Sequence, residues 1–345
     1  MLKAAVLGAT GNVGQIFIRL LNGHPWFKVS AVAASERSAG RTYSQASRWR
    51  QPTPIPEDVT DLDIVPIEPK AVGDVDVIFS ALPAEVAGKT EEEFAKAGYI
   101  VVSNASAHRM EPDVPLLNPE VNCDHVSLIE EQRKSRKWDG AIVTSPNCST
   151  SILTLPLKPI YDEFGINRVV VSTMQAISGG GYPGVASLDI VDNVIPFIRK
   201  EEEKLQTETL KVLGSPTEPA AFKVSASCHR VPTLDGHMEA VFVELKRDAE
   251  PDSVVVAMEG FVGEPQRLKL PTAPAKPVVV RHEEDRPQTR LDRMEGGGMS
   301  VVVGRVRKDP VIGGIKFVAL GHNTIRGAAG CGVLNAEYLK AKKYI

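Results

Sequence analysis

The sequence predicts an α/β domain built on a parallel sheet, followed by an α+β domain whose sheet is mainly antiparallel. Three observations carry that reading. In the first half, short apolar runs alternate with helical stretches, the order that a parallel sheet with crossover helices requires. From about residue 165, strand-like runs follow one another with fewer helices between them. A glycine-rich turn also stands directly between the first strand and the first helix.

The candidate strands of the first half are Ala4 to Leu7, Val29 to Ala33, Asp63 to Ile67, Val75 to Ser80, Ile100 to Ser103 and Ile142 to Thr144. Several are near-continuous apolar runs, as suits strands covered on both faces. Val13, Phe17, Leu20 and Leu21 fall at helical spacing and predict a helix from Asn12 to Leu21. Residues 45–62 are polar, carry three prolines and read as loop. The second half offers strands at Arg168 to Met174, Phe222 to Val231, Glu239 to Lys246, Pro277 to His282, Met299 to Val306 and Lys316 to Leu320. One long helix interrupts them, from Ala186 to Leu213. Leu188, Val191, Val194, Ile195 and Ile198 line one face of it, Pro196 marks a kink and Gly214 ends it. The tail from Gly327 to Lys342 predicts a last helix.

Composition narrows the class. At roughly 150 residues per domain, 345 residues suit two domains. A hydrophobic share of 43% and a charged share of 24% exclude a largely disordered chain. The net charge of −3, from 40 basic and 43 acidic residues, leaves no electrostatic footprint for nucleic acid. No apolar run approaches the ~18 residues of a membrane span. The first residues enter a strand and turn rather than a signal peptide, so a cytoplasmic protein is expected. Cys123, Cys148, Cys228 and Cys331 match no zinc spacing, and no metal is expected.

Gly8-Ala9-Thr10-Gly11-Asn12-Val13-Gly14 joins the first strand to the first helix. Glycines allow the backbone to approach a pyrophosphate, and the helix N-terminus offers it free N–H groups. The spacing is G-x-x-G-x-x-G rather than G-x-G-x-x-G, but the strand–turn–helix context favours a Rossmann-type dinucleotide domain. The second strand ends in Ala34-Ser35-Glu36-Arg37-Ser38-Ala39-Gly40. Arg37 between Ser35 and Ser38 suits the 2′-phosphate of NADP, whereas Glu36 alone would suit the hydroxyl of NAD. We read NADP.

In Thr144-Ser145-Pro146-Asn147-Cys148-Ser149-Thr150 a cysteine follows a strand, and a helix starting at Ser149 or Thr150 would lower its thiol pKa. A cysteine there is more often a small buried hydrophobe, and a nucleophile also needs a partner base. His237 follows an Asp-Gly turn at a strand start, where its side chain can project into a cleft.

The segments GATGNVGQ, ASERSAG, SNASAHRMEPDVPLLNPEVN, SPNCST, STMQAISGGGYPG, EEEK, RVPTLDGH and GHNTIRGAAG run from end to end of the chain. Together they are specific, and the whole chain resembles the aspartate-semialdehyde dehydrogenases, in their archaeal and fungal branch. The resemblance implies NADPH-dependent reductive dephosphorylation of L-aspartyl-4-phosphate to L-aspartate 4-semialdehyde, with release of phosphate. That reaction leads towards lysine, threonine and methionine. The resemblance also assigns roles. Cys148 is the nucleophile that forms a thioester, His237 rather than His229 is the acid/base, and Gln175 orients the acyl group. Arg230 clamps the substrate α-carboxylate, Glu201 holds its ammonium, and Lys204, Arg109 and Asn147 serve the phosphate. Ser178, Gly180 and Asn323 line the nicotinamide, and Ser80, Ala81, Leu82 and Pro83 end the strand beneath it. Relatives usually read S-G-A-G-Y-P-G where Gly180 stands here. Read without the resemblance, the Glu201–Lys204 pair is a solvated charge face of a helix.

The resemblance further implies a homodimer or homotetramer assembled through the second domain. The dinucleotide domain would span residues 1–147 and be completed by a C-terminal helix within 322–345, with the catalytic and dimerisation domain at 148–321. Two other readings stand beside this one. A malonyl-CoA reductase on the same scaffold also uses a cysteine thioester and NADPH, but malonyl-CoA has no amino group for Glu201 to bind. A non-catalytic dinucleotide sensor would have no use for Cys148 and His237.

Overall fold

The runs VIFS and IVVS are apolar at nearly every position because both strands they form are wholly buried. A computed structural model, covering residues 1–345, places them in a parallel sheet. Its strands are β1 (Leu2–Leu7), β2 (Phe27–Ala33), β3 (Ile64–Val65), β4 (Val77–Ser80), β5 (Ile100–Ser103) and β6 (Ala141–Thr144), in the order β3-β2-β1-β4-β5-β6. Helix α1 (Asn12–Leu21) follows β1, α2 (Ala84–Lys96) follows β4, and α3 (Leu128–Arg136) precedes β6. The strand order reverses between β1 and β4, so a crevice opens at their C-terminal ends.

From β6 the chain enters α4 (Cys148–Phe164) and then the second sheet, through β7 (Ile166–Gln175). After β7 come α5 (Glu201–Leu213), β8 (Lys223–Arg230), β9 (His237–Leu245), α6 (Pro251–Gly260), β10 (Val278–Arg281), β11 (Val301–Lys308) and β12 (Ile315–Gly321). The order is β10-β11-β12-β9-β7-β8. The β7–β8 and β10–β11 pairings are parallel and the other three antiparallel, so the sheet is mixed. Alternate residues of β9 are buried, which puts His237, Glu239, Val241 and Val243 on the face covered by helices. Ile152, Leu155, Val169, Val241 and Phe317 form the core on that side. The last helix, α7 (Gly330–Ala341), returns to the first domain, where Val333, Leu334 and Leu339 share a core with Val6, Phe17 and Val102. No helix is long and apolar enough to cross a membrane.

Several sequence expectations need correction. The long helix over 186–213 does not form. A short turn at Ser187–Ile190 is followed by irregular chain, and α5 starts only at Glu201. Ile195 instead exchanges both backbone hydrogen bonds with Arg230, while Pro196 has no N–H to continue a helix. Asp192 and Lys200 take left-handed φ values of 59°. The third strand shrinks to Ile64–Val65, and residues 45–62 contain a helical turn at Glu57–Thr60. The helix after the cysteine motif begins at Cys148 itself, with Asn147 as its N-cap. The last helix is preceded by a π-turn over Ile325–Ala329.

Candidate active site

Asn147 sets the position of the cysteine. Its side-chain oxygen accepts from the N–H groups of Ser149 (2.9 Å) and Thr150 (3.3 Å), which caps α4 and fixes Cys148 in its first turn. Gly327 of the π-turn lies against that turn, and a Cβ there would sit 2.6 Å from the Cys148 Cβ. From the other sheet, His237 opens β9 just after Gly236, whose φ is 98°. The Gly236 N–H donates to Asn323 Oδ1 (2.8 Å), and Asn323 Nδ2 donates to Ser178 Oγ (2.8 Å). These contacts aim the His237 ring at the thiol, with Nε2 3.3 Å from Cys148 Sγ.

The other ring nitrogen is also engaged, since His237 Nδ1 accepts from the Ala176 N–H at 3.1 Å. A neutral ring that accepts at Nδ1 carries its proton on Nε2. In this arrangement His237 is therefore a donor towards the sulfur. Burial, with Arg230 and His322 nearby, holds its pKa well below the usual range, so the ring is neutral at physiological pH. Burial and the negative charge of Glu201 push the Cys148 thiol up to about 12, opposed by Arg109, Arg230 and the Ser149 N–H. The resting pair is thus thiol and neutral imidazole rather than thiolate and imidazolium.

Around this pair, β7 and β8 run side by side and bring Gln175 opposite Arg230. Gln175 donates to Ser149 Oγ (2.9 Å) and Thr173 Oγ1 (3.3 Å). Arg230 Nη1 donates to the Ala176 carbonyl (2.7 Å), and burial lowers its pKa. Helix α5 presents Glu201 at its first position, where Glu201 accepts from Asn147 Nδ2 (2.8 Å) and lies 3.6 Å from Lys204 Nζ. Both ends of the Asn147 amide are therefore engaged. Arg109 is buried, with Nη1 on Glu208 (3.0 Å) and Nη2 on the Asn104 carbonyl (2.8 Å). Cations and the Glu201 carboxylate beside a thiol are a donor set that could take a substrate with a carboxylate, an ammonium and an acyl phosphate.

The crevice predicted for a dinucleotide is present. A Cβ on Gly8 (φ 72°) would lie 2.7 Å from the Ala81 carbonyl oxygen, and one on Gly14 would lie 2.3 Å from the Gly8 oxygen. The glycine turn and the end of β4 thus close on each other through bare backbone, and Thr10, Gly11, Asn12 and Val13 lead into α1. No acidic side chain stands in the first turn of α1, so its N–H groups face no competing anion. A cavity of about 610 Å³ links this turn to the second domain, lined by Asn12, Arg19, Arg50, Ser178, Tyr182 and His322 among others. These features fit a dinucleotide. Ser35 and Arg37 lie on an exposed turn after β2, with Ser38 partly buried. Ser80 is buried and donates to Glu91, so it supports the strand end that Ala81, Leu82 and Pro83 continue. Gly180 has open space around it, and its neighbour Gly181 lines the cavity instead.

Sequence reading missed several residues of this site. Glu208 lies seven residues beyond Glu201 on the same face of α5, a spacing that could have revealed it had the helix start been known. A Cβ on Gly179 would meet Arg230 Nη1 at 2.8 Å and His237 Cε1 at 3.0 Å. Arg50 stacks over Tyr182 across the domain boundary, 3.5 Å from the ring centroid. Nothing local in the sequence announces either contact.

Known proteins share this sequence and this fold. A family model described as semialdehyde dehydrogenase, NAD binding domain, matches residues 3–129, and one described as semialdehyde dehydrogenase, dimerisation domain, matches residues 157–326. An aspartate-semialdehyde dehydrogenase from Methanothermobacter thermautotrophicus is 57% identical over 98% of this chain and 99% of its own length. A malonyl CoA reductase (NADP) from Metallosphaera sedula is 46% identical over 100% of this chain and 98% of its own. The crystal structure of aspartate semialdehyde dehydrogenase with NADP from Candida albicans superposes with a TM-score of 0.92 at 43% identity, covering both chains fully. Identity of 57% over nearly the whole chain, with both domain models matched, shows that the chain, in which the Cys148 thiol meets His237 between the two domains, belongs to the aspartate-semialdehyde dehydrogenase family.

Proposed function

We propose that this enzyme converts L-aspartyl-4-phosphate to L-aspartate 4-semialdehyde with NADPH, and the reverse when NADP⁺ and phosphate are supplied. The observation that carries this reading is the Cys148–His237 pair at 3.3 Å, with the Arg230 fork and the Glu201 carboxylate in the same enclosure. Arg230 engages Ala176 through Nη1 and keeps its remaining donors for a substrate α-carboxylate. Glu201 supplies the counter-charge for the ammonium, and Lys204 and Arg109 supply positive charge for the phosphate. Asn147 serves the phosphate subsite chiefly by holding Glu201 and capping α4.

In the tautomer protonated at Nδ1, His237 takes the Cys148 thiol proton at Nε2, and the resulting thiolate attacks the acyl carbon. The tetrahedral adduct collapses by breaking the C–O bond to phosphate, which leaves with both electrons of that bond, and a thioester remains. His237 Nε2–H donates to the developing oxyanion, and Gln175, fixed on Ser149, orients the acyl oxygen. The hydride that reduces the thioester carbonyl would come from NADPH when it is bound. Cys148 then departs as thiolate, which the same Nε2–H stabilises, and the aldehyde is released. Taking up the thiol proton at Nε2 requires the other tautomer of His237 and loss of the Ala176 contact, so the donor half of its role is the one favoured in the resting enzyme. The Gly8–Gly14 turn would hold the cofactor diphosphate, Arg37 with Ser35 and Ser38 the 2′-phosphate, and Ser178 with the backbone of the 178–181 loop the nicotinamide.

Leu188, Val191, Val194 and Phe197 are exposed on the segment before α5, and the outer face of the second sheet carries Val170 and Phe242. These apolar residues support a homodimer or homotetramer through the second domain, to be read by light scattering. The four free thiols suit a reducing cytoplasm. The test of function is NADP⁺ reduction with L-aspartate 4-semialdehyde, with and without phosphate. Phosphate-dependent turnover supports the reading, and activity confined to malonyl-CoA with NADPH overturns it.

A further inference from the structure

Helix α5 carries a second pair of groups beyond Glu201 and Lys204. Glu208 is buried, and its two oxygens bind different parts of the site. Oε1 accepts from Arg109 Nη1 at 3.0 Å, and Oε2 accepts from the backbone N–H of Asn147 at 2.6 Å. One carboxylate therefore joins the cation assigned to the phosphate to the residue immediately before the nucleophile. One turn further along, Lys211 Nζ donates to the carbonyls of Arg109 (2.7 Å), Glu111 (2.7 Å) and Val114 (3.0 Å), which fixes the loop that brings Arg109 in. Arg109 Nε is buried without a partner, so its guanidinium has unmet donor capacity.

We propose that Glu208 is a positioning residue for the phosphate subsite, holding the Arg109 guanidinium in register with the start of α4. This rests on the dehydrogenase reading above, because it takes Arg109 as a phosphate ligand. A carboxylate meets the geometric need better than an amide. It accepts from both Arg109 and Asn147, whereas a glutamine offers one oxygen and turns an NH₂ towards the other donor. The negative charge also opposes phosphate in Coulombic terms. In a buried site fixed orientation outweighs that opposition, since without Glu208 the guanidinium loses its charged partner and its aim.

The test is steady-state kinetics of Glu208→Gln and Glu208→Asp in the NADP⁺-reducing direction, alone and combined with Arg109→Met. Glu208→Gln raises KM for phosphate roughly 10- to 100-fold, the range for a lost charge-assisted hydrogen bond. KM for NADP⁺ and for the semialdehyde stays within about twofold. Glu208→Asp, a methylene shorter and unable to span both donors, moves the same constant in the same direction and provides the test if the glutamine variant does not fold. In the Arg109→Met background, Glu208→Gln adds little to KM for phosphate, because the group it acts through is gone. An unchanged phosphate KM in the folded variants overturns the inference, as does a full additional loss in the Arg109→Met background. If wild-type turnover shows no phosphate dependence at all, the parent reading has failed instead.

Discussion

Gly179 and Gly180 are neighbours with opposite surroundings, and replacing each by alanine tests whether the site depends on close backbone approach. Neither has a left-handed φ, so an alanine strains neither backbone. A Cβ on Gly179 would lie 2.8 Å from Arg230 Nη1, 3.0 Å from His237 Cε1 and 3.1 Å from Nε2. Ordinary contact begins near 3.4 Å, so both side chains must withdraw by up to roughly half an ångström. They cannot do so freely. Arg230 is tied to the Ala176 carbonyl at 2.7 Å and His237 to the Ala176 N–H at 3.1 Å. A displacement of about 1 Å in an active site costs on the order of 100-fold. Gly179→Ala should therefore lower kcat/KM for the semialdehyde roughly 10- to 100-fold, or about 1.4–2.7 kcal/mol of transition-state stabilisation. Gly180 has nothing within 4 Å of its added Cβ. Gly180→Ala should leave kcat within about twofold and raise stability by about 0.4–1 kcal/mol through the unfolded chain. The assay is NADP⁺ reduction with phosphate at saturation, beside urea denaturation of each variant. Wild-type kinetics for Gly179→Ala, or equal damage from both substitutions, would show that the site does not depend on this close backbone approach.

Three further outcomes follow from the same geometry. Arg230→Lys should raise KM for the semialdehyde about tenfold or more with a smaller change in kcat, because a lysine cannot hold Ala176 and fork onto a carboxylate together; an unchanged KM would move the carboxylate elsewhere. Burial and the Glu201 charge hold the thiol up near 12, so the thiolate fraction and the alkylation rate should climb with pH through the alkaline range. Glu201→Gln should shift that profile to lower pH, and a profile that stays put would remove Glu201 from the electrostatics of the thiol. Arg326 and Glu120 form an ion pair whose side chains are both 0% exposed. Arg326→Met strands the carboxylate and should cost about 3–5 kcal/mol in urea denaturation, whereas Glu120→Leu with Arg326→Met should recover most of it; a loss below about 1 kcal/mol in the single variant would contradict the buried-charge argument.

The central strands of the first sheet were legible because a strand covered on both faces must be apolar throughout, as VIFS and IVVS are. Cys148 and His237 were legible once the motifs around them were joined. The segment before α5 was not. Leu188, Val191, Val194 and Ile198 have helical spacing, but Leu188 is 94% exposed, Val191 and Val194 are exposed too, and of the four only Ile198 packs against the core of the second domain. Periodicity reports a face that needs covering, and not whether helix or irregular chain presents it. Glu208 escaped notice for a different reason. Carboxylates on a helix that starts EEEK read as solvated charge, and only the tertiary approach of Arg109 and Asn147 buries this one. The tautomer of His237 is likewise set by the Ala176 N–H, which is 61 residues away in sequence.

In the proposed mechanism Cys148 carries the acyl group between hydride transfer and phosphate. A rapid-mixing experiment with NADP⁺ and L-aspartate 4-semialdehyde, in the absence of phosphate, tests it most directly. The expected result is a burst of one NADPH per site, an acyl mass on the peptide containing Cys148, and steady turnover once phosphate is added. No burst and no adduct in the wild type, or a burst that survives in Cys148→Ala, would contradict it.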